Sequence, residues 1–138
     1  KTKDGIITTY ERGGSDRTAA DLGILFHKKY DTIIDLEKDS SVVSADPKIV
    51  KDDLEQVNEL SYNEARLAGM FGMKIVDPIA IKEILENGLE IPLTITNMKS
   101  PEMITKIQRN PEDKSGHPLK IVTGKKKLCN LTNRIRND

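Results

Sequence analysis

The stretch ERGGSDRTA, residues 11–19, stands between a β-branched run at 6–10 and a helical pattern at 16–28. Its two adjacent glycines permit another group to approach the backbone closely. Arg12 offers the planar guanidinium that binds a carboxylate through two hydrogen bonds. Asp16 offers a carboxylate that suits a lysine or the ammonium group of a ligand. Together these groups fit a small zwitterion better than a bare phosphate.

Two other interpretations of this turn stay open from the residues alone. A helix start after a glycine turn is a general anion site, but GxGxxG is absent, and Leu119 stands where GxxxxGK[ST] would need its first glycine before Gly124 and Lys125. The other interpretation is purely structural. The glycines would then serve the geometry of a strand-to-helix turn, and Ser15 or Asp16 would cap the helix.

Composition excludes several classes of function. Lysine plus arginine equals aspartate plus glutamate, at 22 each, so the net charge is zero and no long-range field attracts nucleic acid or anionic lipid. Trp is absent and aromatic content is 4%, which argues against a surface on which bases stack. Cys129 is the single cysteine, and we see no signal peptide or membrane-spanning run. We therefore expect a cytoplasmic protein without nucleic-acid or membrane partners.

Hydrophobic periodicity predicts alternating strands and helices. Strands are predicted at 6–10, 30–36 and 92–96, and helices at 16–28, 60–72 and 77–86. Residues 74–76 read as a short strand or a turn. Ser61 and Glu64 have capping-box spacing, and Asp77 followed by Pro78 is typical of a helix start. The alternation indicates an α/β domain, whose first strand, helix and second strand would form a right-handed parallel unit.

The remaining segments read as connections. Residues 37–55 are polar and predict a loop, and residues 108–118, QRNPEDKSGHP, predict a linker. Two further extended segments are predicted at 119–123 and 127–135, where a second domain would only begin. The chain opens on Lys1 rather than Met, from which we expect a processed chain or an excerpt of a longer one.

Five blocks resemble, in order, the signature of the aspartate kinase family. ITTYERGGSDRTA (7–19) is similar to the family's TTLGRGGSDTTA, and FGMKIVDPIAI (71–81) is similar to FGAKVLHPRTI. SADPKIV (44–50), LSYNEA (60–65) and IPLTITN (91–97) are similar to TADPRIV, LSYxEA and IPIxIxNT. The tail from residue 119 resembles, more distantly, the start of the family's regulatory ACT domain.

The resemblance implies part of the amino acid kinase fold, a parallel sheet sandwiched between helices. Residues 1–107 would be the nucleotide-side part of the catalytic domain, 108–118 a linker, and 119–138 the start of an ACT-like α+β domain. The implied reaction transfers the γ-phosphoryl group of ATP to the side-chain carboxylate of L-aspartate, toward lysine, threonine and methionine. Mg²⁺ would be bound mainly through the ATP phosphates. An amino-acid feedback effector and further copies of the whole enzyme are the other implied partners.

The same resemblance implies the site residues. The expected substrate-binding residues are Thr9, Arg12, Gly13, Gly14 and Ser15. The expected nucleotide-binding residues are Lys38, Asp39, Val43, Lys48, Lys74 and Ile75. The expected catalytic residues are Asp16, which would organise the lysines, and Lys74, which would reach the phosphates; no metal ligand is expected. Such a site needs in-line positioning and compensation of phosphoryl charge, and no general base, because the acceptor carboxylate is already ionised.

Departures from the family pattern keep other functions open. The family's N-terminal lysine followed by Phe-Gly-Gly has no counterpart, so the isolated chain is expected to be inactive. The loop KDSSVVSADP (38–47) is one residue shorter than the family's TDVDGVYTADP, and Val43 takes the place of its tyrosine. Glu11 and Asp77 replace a glycine and a histidine. The alternatives are a catalytically silent ligand-sensing or interaction module with this fold, and an amino acid kinase for another acidic substrate.

Overall fold

The computed structural model describes residues 1–111 and 120–124. In this part the elements are α1 (Gly14–His27), β1 (Ile34–Lys38), β2 (Glu59–Ser61), α2 (Tyr62–Met70), α3 (Pro78–Glu86), β3 (Leu93–Asn97) and β4 (Ser100–Gln108). The predicted α/β class is therefore confirmed. Among the described residues, none of the helices has the length and apolar character needed to cross a bilayer.

The four strands form one mixed sheet in the order β1-β3-β4-β2. β1 is parallel to β3, and β2 is parallel to β4. β3 and β4, however, form an antiparallel hairpin, because the turn at residues 98–99 returns the chain beside β3. Neither β2 nor β4 was predicted. β2 has only three residues, and the outer half of β4 is largely exposed, so neither shows the alternation that marks a strand.

The core lies between the helices and one side of the sheet. Helices α1 and α2 both pack against α3. Alternate residues of β1 and β3 are buried, and the largest fully buried aliphatic side chains are those of Leu60, Ile81, Ile84, Ile91, Leu93, Ile95 and Ile107. Gly23 of α1 allows close contact, since a Cβ there would lie 2.5 Å from Ile34 Cδ1. On the opposite side, the Asp35 carboxylate accepts hydrogen bonds from the Thr94 and Thr96 hydroxyls.

Both helix starts that were predicted from local spacing are confirmed. The Ser61 N–H donates to the Glu64 carboxylate at 2.6 Å, and the Glu64 N–H donates to Ser61 Oγ at 3.2 Å, which completes the capping box. The Asp77 carboxylate accepts the Ile79 N–H at 2.8 Å, and Pro78 is the first residue of α3.

The predicted strand at 6–10 is wrong, and with it the right-handed parallel unit. Ile6 and Ile7 are 62% and 79% exposed, and the Ile6 backbone bonds only to Thr2 within a local turn. A β-branched run becomes a strand only where a neighbouring strand completes its hydrogen bonds. The described residues supply no such neighbour for 6–10.

The prediction for α1 is correct in type but wrong in its cap. The helix begins at Gly14, and its N-cap is Gly13, whose φ of 90° is left-handed and whose cap involves no side chain. Ser15 and Asp16 therefore lie inside the first turn. Residues 30–36 were predicted as the next strand, but β1 begins only at Ile34, and Ile33 is 66% exposed.

The remaining connections agree with the prediction where the structure describes them. The loop predicted at 37–55 begins two residues later, because Glu37 and Lys38 end β1. Residues 39–55 are mostly irregular, with an isolated bridge between Val43 and Gln56. Residues 74–76 form no strand and include bends at 75 and 76. Most of the predicted linker and the extended segment at 127–135 lie outside the described residues. Of the segment at 119–123, Val122 forms one parallel bridge with Ala45.

Candidate functional site

Asp16 joins the start of α1 to two distant parts of the chain. Both of its carboxylate oxygens lie 3.0 Å from Lys38 Nζ, at the end of β1. Its Oδ2 atom also accepts the backbone N–H of Asp77 at 2.9 Å. The Asp16 and Lys38 side chains are only 16% and 25% exposed. The end of β1 and the starts of α1 and α3 therefore meet at one carboxylate.

The two glycines before Asp16 make this junction possible. A Cβ at Gly13 would lie 2.0 Å from Asp77 Oδ2, and the left-handed φ of Gly13 also disfavours any other residue. A Cβ at Gly14 would lie 2.8 Å from the Cβ of Tyr10. The GGSD turn thus packs directly on the cap of α3, which belongs to the KIVDP block.

A cavity of about 220 Å³ lies beside this junction, at the carboxyl ends of β1 and β3. Its lining includes five of the six residues predicted for the nucleotide: Lys38, Val43, Lys48, Lys74 and Ile75. Asp39 is the exception. It is exposed, and its carboxylate accepts a hydrogen bond from the neighbouring Ser40 hydroxyl at 3.4 Å.

The lining of the cavity combines lysines with apolar side chains. Lys38 is bound by Asp16, whereas Lys48 and Lys74 are exposed and have no ion pair within residues 1–111 and 120–124. Asp46, the one acidic residue of the lining, accepts the backbone N–H of Lys48 at 2.9 Å and so closes a turn. Apolar lining comes from Val42, Val43, Met73, Ile75 and Ile95. This arrangement suits an anionic ligand that also carries a flat apolar group.

The residues predicted for the substrate belong to the first turn of α1 and to the segment before it. Thr9, Gly14 and Ser15 line an open hollow along the start of α1, together with Tyr10, Glu11 and Thr18. Gly13 is covered by Asp77 instead. Arg12 is exposed, and the described residues provide no ion pair for its guanidinium. Most residues predicted for the substrate thus line the hollow, and most of those predicted for the nucleotide line the cavity. Asp16, which directly follows Ser15 of the hollow, binds Lys38 of the cavity.

Comparison with known proteins identifies the family. Residues 2–97 match the family model described as "Amino acid kinase family". The chain belongs to the amino acid kinase family. It is 33% identical over 134 residues to the bifunctional aspartokinase/homoserine dehydrogenase 2 of Arabidopsis thaliana, covering 96% of this chain and 14% of that one.

Solved structures agree with this assignment and with the predicted fold. Escherichia coli aspartokinase III in complex with aspartate and ADP is similar with a TM-score of 0.65 and 25% identity, over 80% of this chain and 24% of that one. The same enzyme in complex with lysine and aspartate gives 0.60 and 27%, over the same shares. The predicted resemblance to part of an aspartokinase catalytic domain is confirmed, and the chain spans about a quarter or less of these relatives.

Sequence reasoning missed a cluster of polar side chains that holds Tyr10, in the segment just before Gly13 and Gly14. The Arg17 guanidinium lies 4.6 Å from the centre of the Tyr10 ring, and its Nη2 atom lies 3.1 Å from Glu83 Oε1. The Tyr10 hydroxyl donates to Asp21, and this hydrogen bond, with the Asp21 charge, raises the pKa of Tyr10. The i,i+4 spacing of Arg17 and Asp21 predicts an ion pair between them. The structure shows instead that Arg17 pairs with Glu83 and that Asp21 accepts from Tyr10.

Sequence reasoning also missed the contacts that hold the start of the irregular segment at 39–55, part of which lines the cavity. The buried Asn97 side chain donates from Nδ2 to Ser41 Oγ at 2.8 Å, and the Met98 N–H donates to the Lys38 carbonyl at 2.8 Å. Asn97 closes the IPLTITN block, which was interpreted only as a strand. No local sequence pattern could indicate this contact, because Asn97 and Ser41 lie 56 residues apart in the chain.

Proposed function

We propose that the chain is part of an aspartate kinase, in which the cavity binds ATP and the hollow along α1 binds L-aspartate. The observation that carries this proposal is the contact between Asp16 and Lys38, since Asp16 directly follows Ser15 of the hollow and Lys38 lines the cavity. The solved relative with aspartate and ADP bound supports it.

In this proposal the lysines of the cavity provide most of the charge compensation. Lys48 and Lys74 would contact the phosphates, and the apolar lining around Val43 and Ile75 would contact the base. Mg²⁺ would enter with the phosphates and reduce their charge. Asp16 binds Lys38 through both oxygens and so holds that side chain at the edge of the cavity. Phosphoryl transfer needs this kind of positioning more than it needs covalent chemistry from the protein.

L-aspartate, the phosphoryl acceptor in this proposal, would be held by the turn before α1. Arg12 has no partner in the described residues, and its fork of donors matches the α-carboxylate of aspartate. Thr9 and Ser15 line the hollow with hydroxyl groups. The side-chain carboxylate would then lie toward the Asp16–Lys38 pair, where the γ-phosphoryl group arrives from the cavity. It is ionised at neutral pH, so its attack requires no general base.

Several wider features belong to the same proposal. The reaction would be the first step toward lysine, threonine and methionine, in the cytoplasm. The solved complex of a relative with lysine supports an amino-acid effector. Assembly of the whole enzyme into oligomers, the ACT-like start at 119–138 and the domain limits at 107 and 118 stay predictions from the resemblance.

One observation favours a second function, a catalytically silent module. Asp39 does not line the cavity, although the family pattern places it around the nucleotide. A module that has lost nucleotide chemistry would tolerate such a change in the shortened loop. Against this, Val43 and Lys48 of the same loop do line the cavity.

Titration calorimetry of the 138-residue chain with Mg-ATP separates the two functions. An aspartate kinase fragment binds Mg-ATP, and Lys74→Met weakens binding about tenfold or more, because a phosphate contact is lost. The control is Lys82→Met, which removes an exposed lysine paired with Glu86 on α3. A chain that binds no nucleotide would support the silent module, whereas an equal loss of affinity in both variants would remove Lys74 from the phosphate contacts.

A further inference from the structure

Residues 120–124, here called the bridging segment, return to the kinase part of the chain and contact both sides of the cavity. One side of the cavity is formed by residues 40–48 and the other by residues 72–75. The Val122 N–H donates to the Ser44 carbonyl at 2.8 Å, within the parallel bridge between Val122 and Ala45. The Thr123 hydroxyl donates to the Phe71 carbonyl at 3.3 Å, directly before Gly72.

The bridging segment is also anchored away from the cavity. Lys120 Nζ lies 3.4 Å from Glu64 Oε1, and the Lys120 side chain is only 15% exposed. Ile121 packs against the hydrophobic core. The segment is therefore held at its first two residues by α2 and the core. Its next two residues bond to Ser44, within one side of the cavity, and to Phe71, directly before the other side.

Among the described residues, no hydrogen bond joins residues 40–48 directly to residues 72–75. Residues 40–48 are held by the Glu55 carbonyl, by the Val57 N–H and, through Ser41, by Asn97. Residues 72–75 follow the end of α2, where the Met73 N–H donates to the Ala68 carbonyl. A segment bonded to both restricts how far they separate.

We propose that the bridging segment positions the two sides of the cavity and thereby sets its affinity for a nucleoside triphosphate, with Val122 and Thr123 as positioning residues. This inference rests on the proposed function, since it takes the cavity as the ATP site. The physical reason is preorganisation: sides already held at the right separation lose less conformational freedom when the ligand binds. Neither residue lines the cavity, so neither is expected to touch the nucleotide.

The test measures two quantities on the full 138-residue chain. Hydrogen–deuterium exchange in the absence of nucleotide reports the Ser44 and Met73 amides, one on each side. Calorimetry reports the Kd of Mg-ATP. Val122→Pro removes the N–H that reaches Ser44, and Thr123→Val removes the hydroxyl that reaches Phe71 while keeping the shape of the side chain. Gly124→Ala is the control, because a Cβ there meets nothing within 4 Å.

We expect faster exchange at both amides and a Kd higher by up to about fivefold in Val122→Pro, since one lost backbone hydrogen bond is the most that binding must then make up. Thr123→Val should raise the exchange of Met73 more than that of Ser44, and Gly124→Ala should match the parent chain. If the parent binds Mg-ATP and both variants keep its Kd, the inference is overturned while the proposed function stands. If the parent binds no Mg-ATP, the proposed function fails and the claim about affinity fails with it. If Val122→Pro unfolds the chain, Thr123→Val alone decides.

Discussion

The carboxylate of Asp16 accepts the backbone N–H of Asp77 at 2.9 Å, while the carboxylate of Asp77 passes over the bare Cα of Gly13. Asp16, in the first turn of α1, thus bonds to the N-cap residue of α3, while the Asp77 carboxylate lies against the start of α1 without bonding to it. Asp77 caps α3 through Ile79 and needs Gly13 to lack a side chain. Asp16, fixed by this contact, presents its oxygens to Lys38. The geometry of the proposed site depends on a contact between two backbone turns.

Gly13→Ala is expected to destabilise the chain more than its backbone conformation alone explains. The left-handed φ costs about 1 kcal/mol or more for alanine. The clash with Asp77 adds to it, for a total of about 3 kcal/mol. Gly5→Ala is the matched control, because Gly5 has φ +80° but its Cβ would meet nothing within 4 Å. Urea unfolding of both variants measures the difference.

The source of the extra cost can be tested in the same series. In an Asp77→Ala background, Gly13→Ala should cost clearly less than in the parent, because the clashing carboxylate is gone and only the Cβ of residue 77, at 3.1 Å, remains close. An equal cost of Gly13→Ala in both backgrounds would show that Asp77 does not restrict position 13.

The capping box of α2 is expected to make stability fall in acid. Burial alone would raise the pKa of Glu64, but hydrogen bonds from Ser61 and the charge of Lys120 outweigh it and lower that pKa from its ordinary value of 4.5. A lowered carboxyl pKa stabilises the fold fully above the ordinary value, and this contribution is lost as pH falls through the folded-state pKa. Glu64→Gln should therefore have a lower Tm than the parent near neutral pH, and this difference in Tm should shrink below about pH 4.5.

Thermal melts across this range, with Glu86→Gln as control, test the assignment. Glu86 is also paired with a lysine but its side chain is 62% exposed, so its removal should change Tm little. A Glu64→Gln variant whose Tm follows that of the parent at every pH would show that the capping box contributes no acid sensitivity.

Arg12→Lys is expected to affect aspartate and not ATP. The substitution keeps the charge but removes the two-pronged donor that fits a carboxylate. In the whole aspartate kinase that we propose, KM for aspartate should rise more than about tenfold, with KM for ATP nearly unchanged. Steady-state kinetics with each substrate varied in turn measures both constants. A comparable rise in both constants would remove Arg12 from the aspartate site.

The 138-residue chain by itself is expected not to phosphorylate aspartate. It has no counterpart of the family's lysine before Phe-Gly-Gly, and a lost charge-compensating group reduces phosphoryl transfer by about 10²–10³-fold or more. A coupled assay of ADP release with and without aspartate measures this. Robust aspartate-dependent turnover by the isolated chain would contradict the expectation.

The parts of the fold that were predicted correctly depend on neighbours in the sequence. The capping box at Ser61 and Glu64 and the Asp77-Pro78 start are local signals, and both formed as predicted. The strand at 6–10 failed because a strand depends on a partner elsewhere. β4 was missed because only its inner half, around Thr105 and Ile107, is buried.

The predictions for the site divide in the same way, into those that sequence signals carried and contacts that depend on the fold. The resemblance brought together Lys38, Lys48 and Lys74, and the structure places them around one cavity. It could not indicate that Asp16 binds Lys38 among these lysines, because that choice depends on where β1 ends relative to α1. Nor could it indicate that Asn97 holds Ser41, since this contact exists only once the hairpin has formed.

The kcat of Lys74→Met in the whole enzyme tests the central claim most directly, because Lys74 lines the cavity and is exposed, so its removal leaves the core intact. The account predicts an unchanged Tm and a kcat lowered at least about 10²-fold, since developing phosphoryl charge loses its counter-charge. Lys74→Arg should not restore it, because a planar fork does not replace a point charge in a tight site. A folded Lys74→Met enzyme with near-parental kcat would contradict the account and leave Lys74 an ordinary surface lysine.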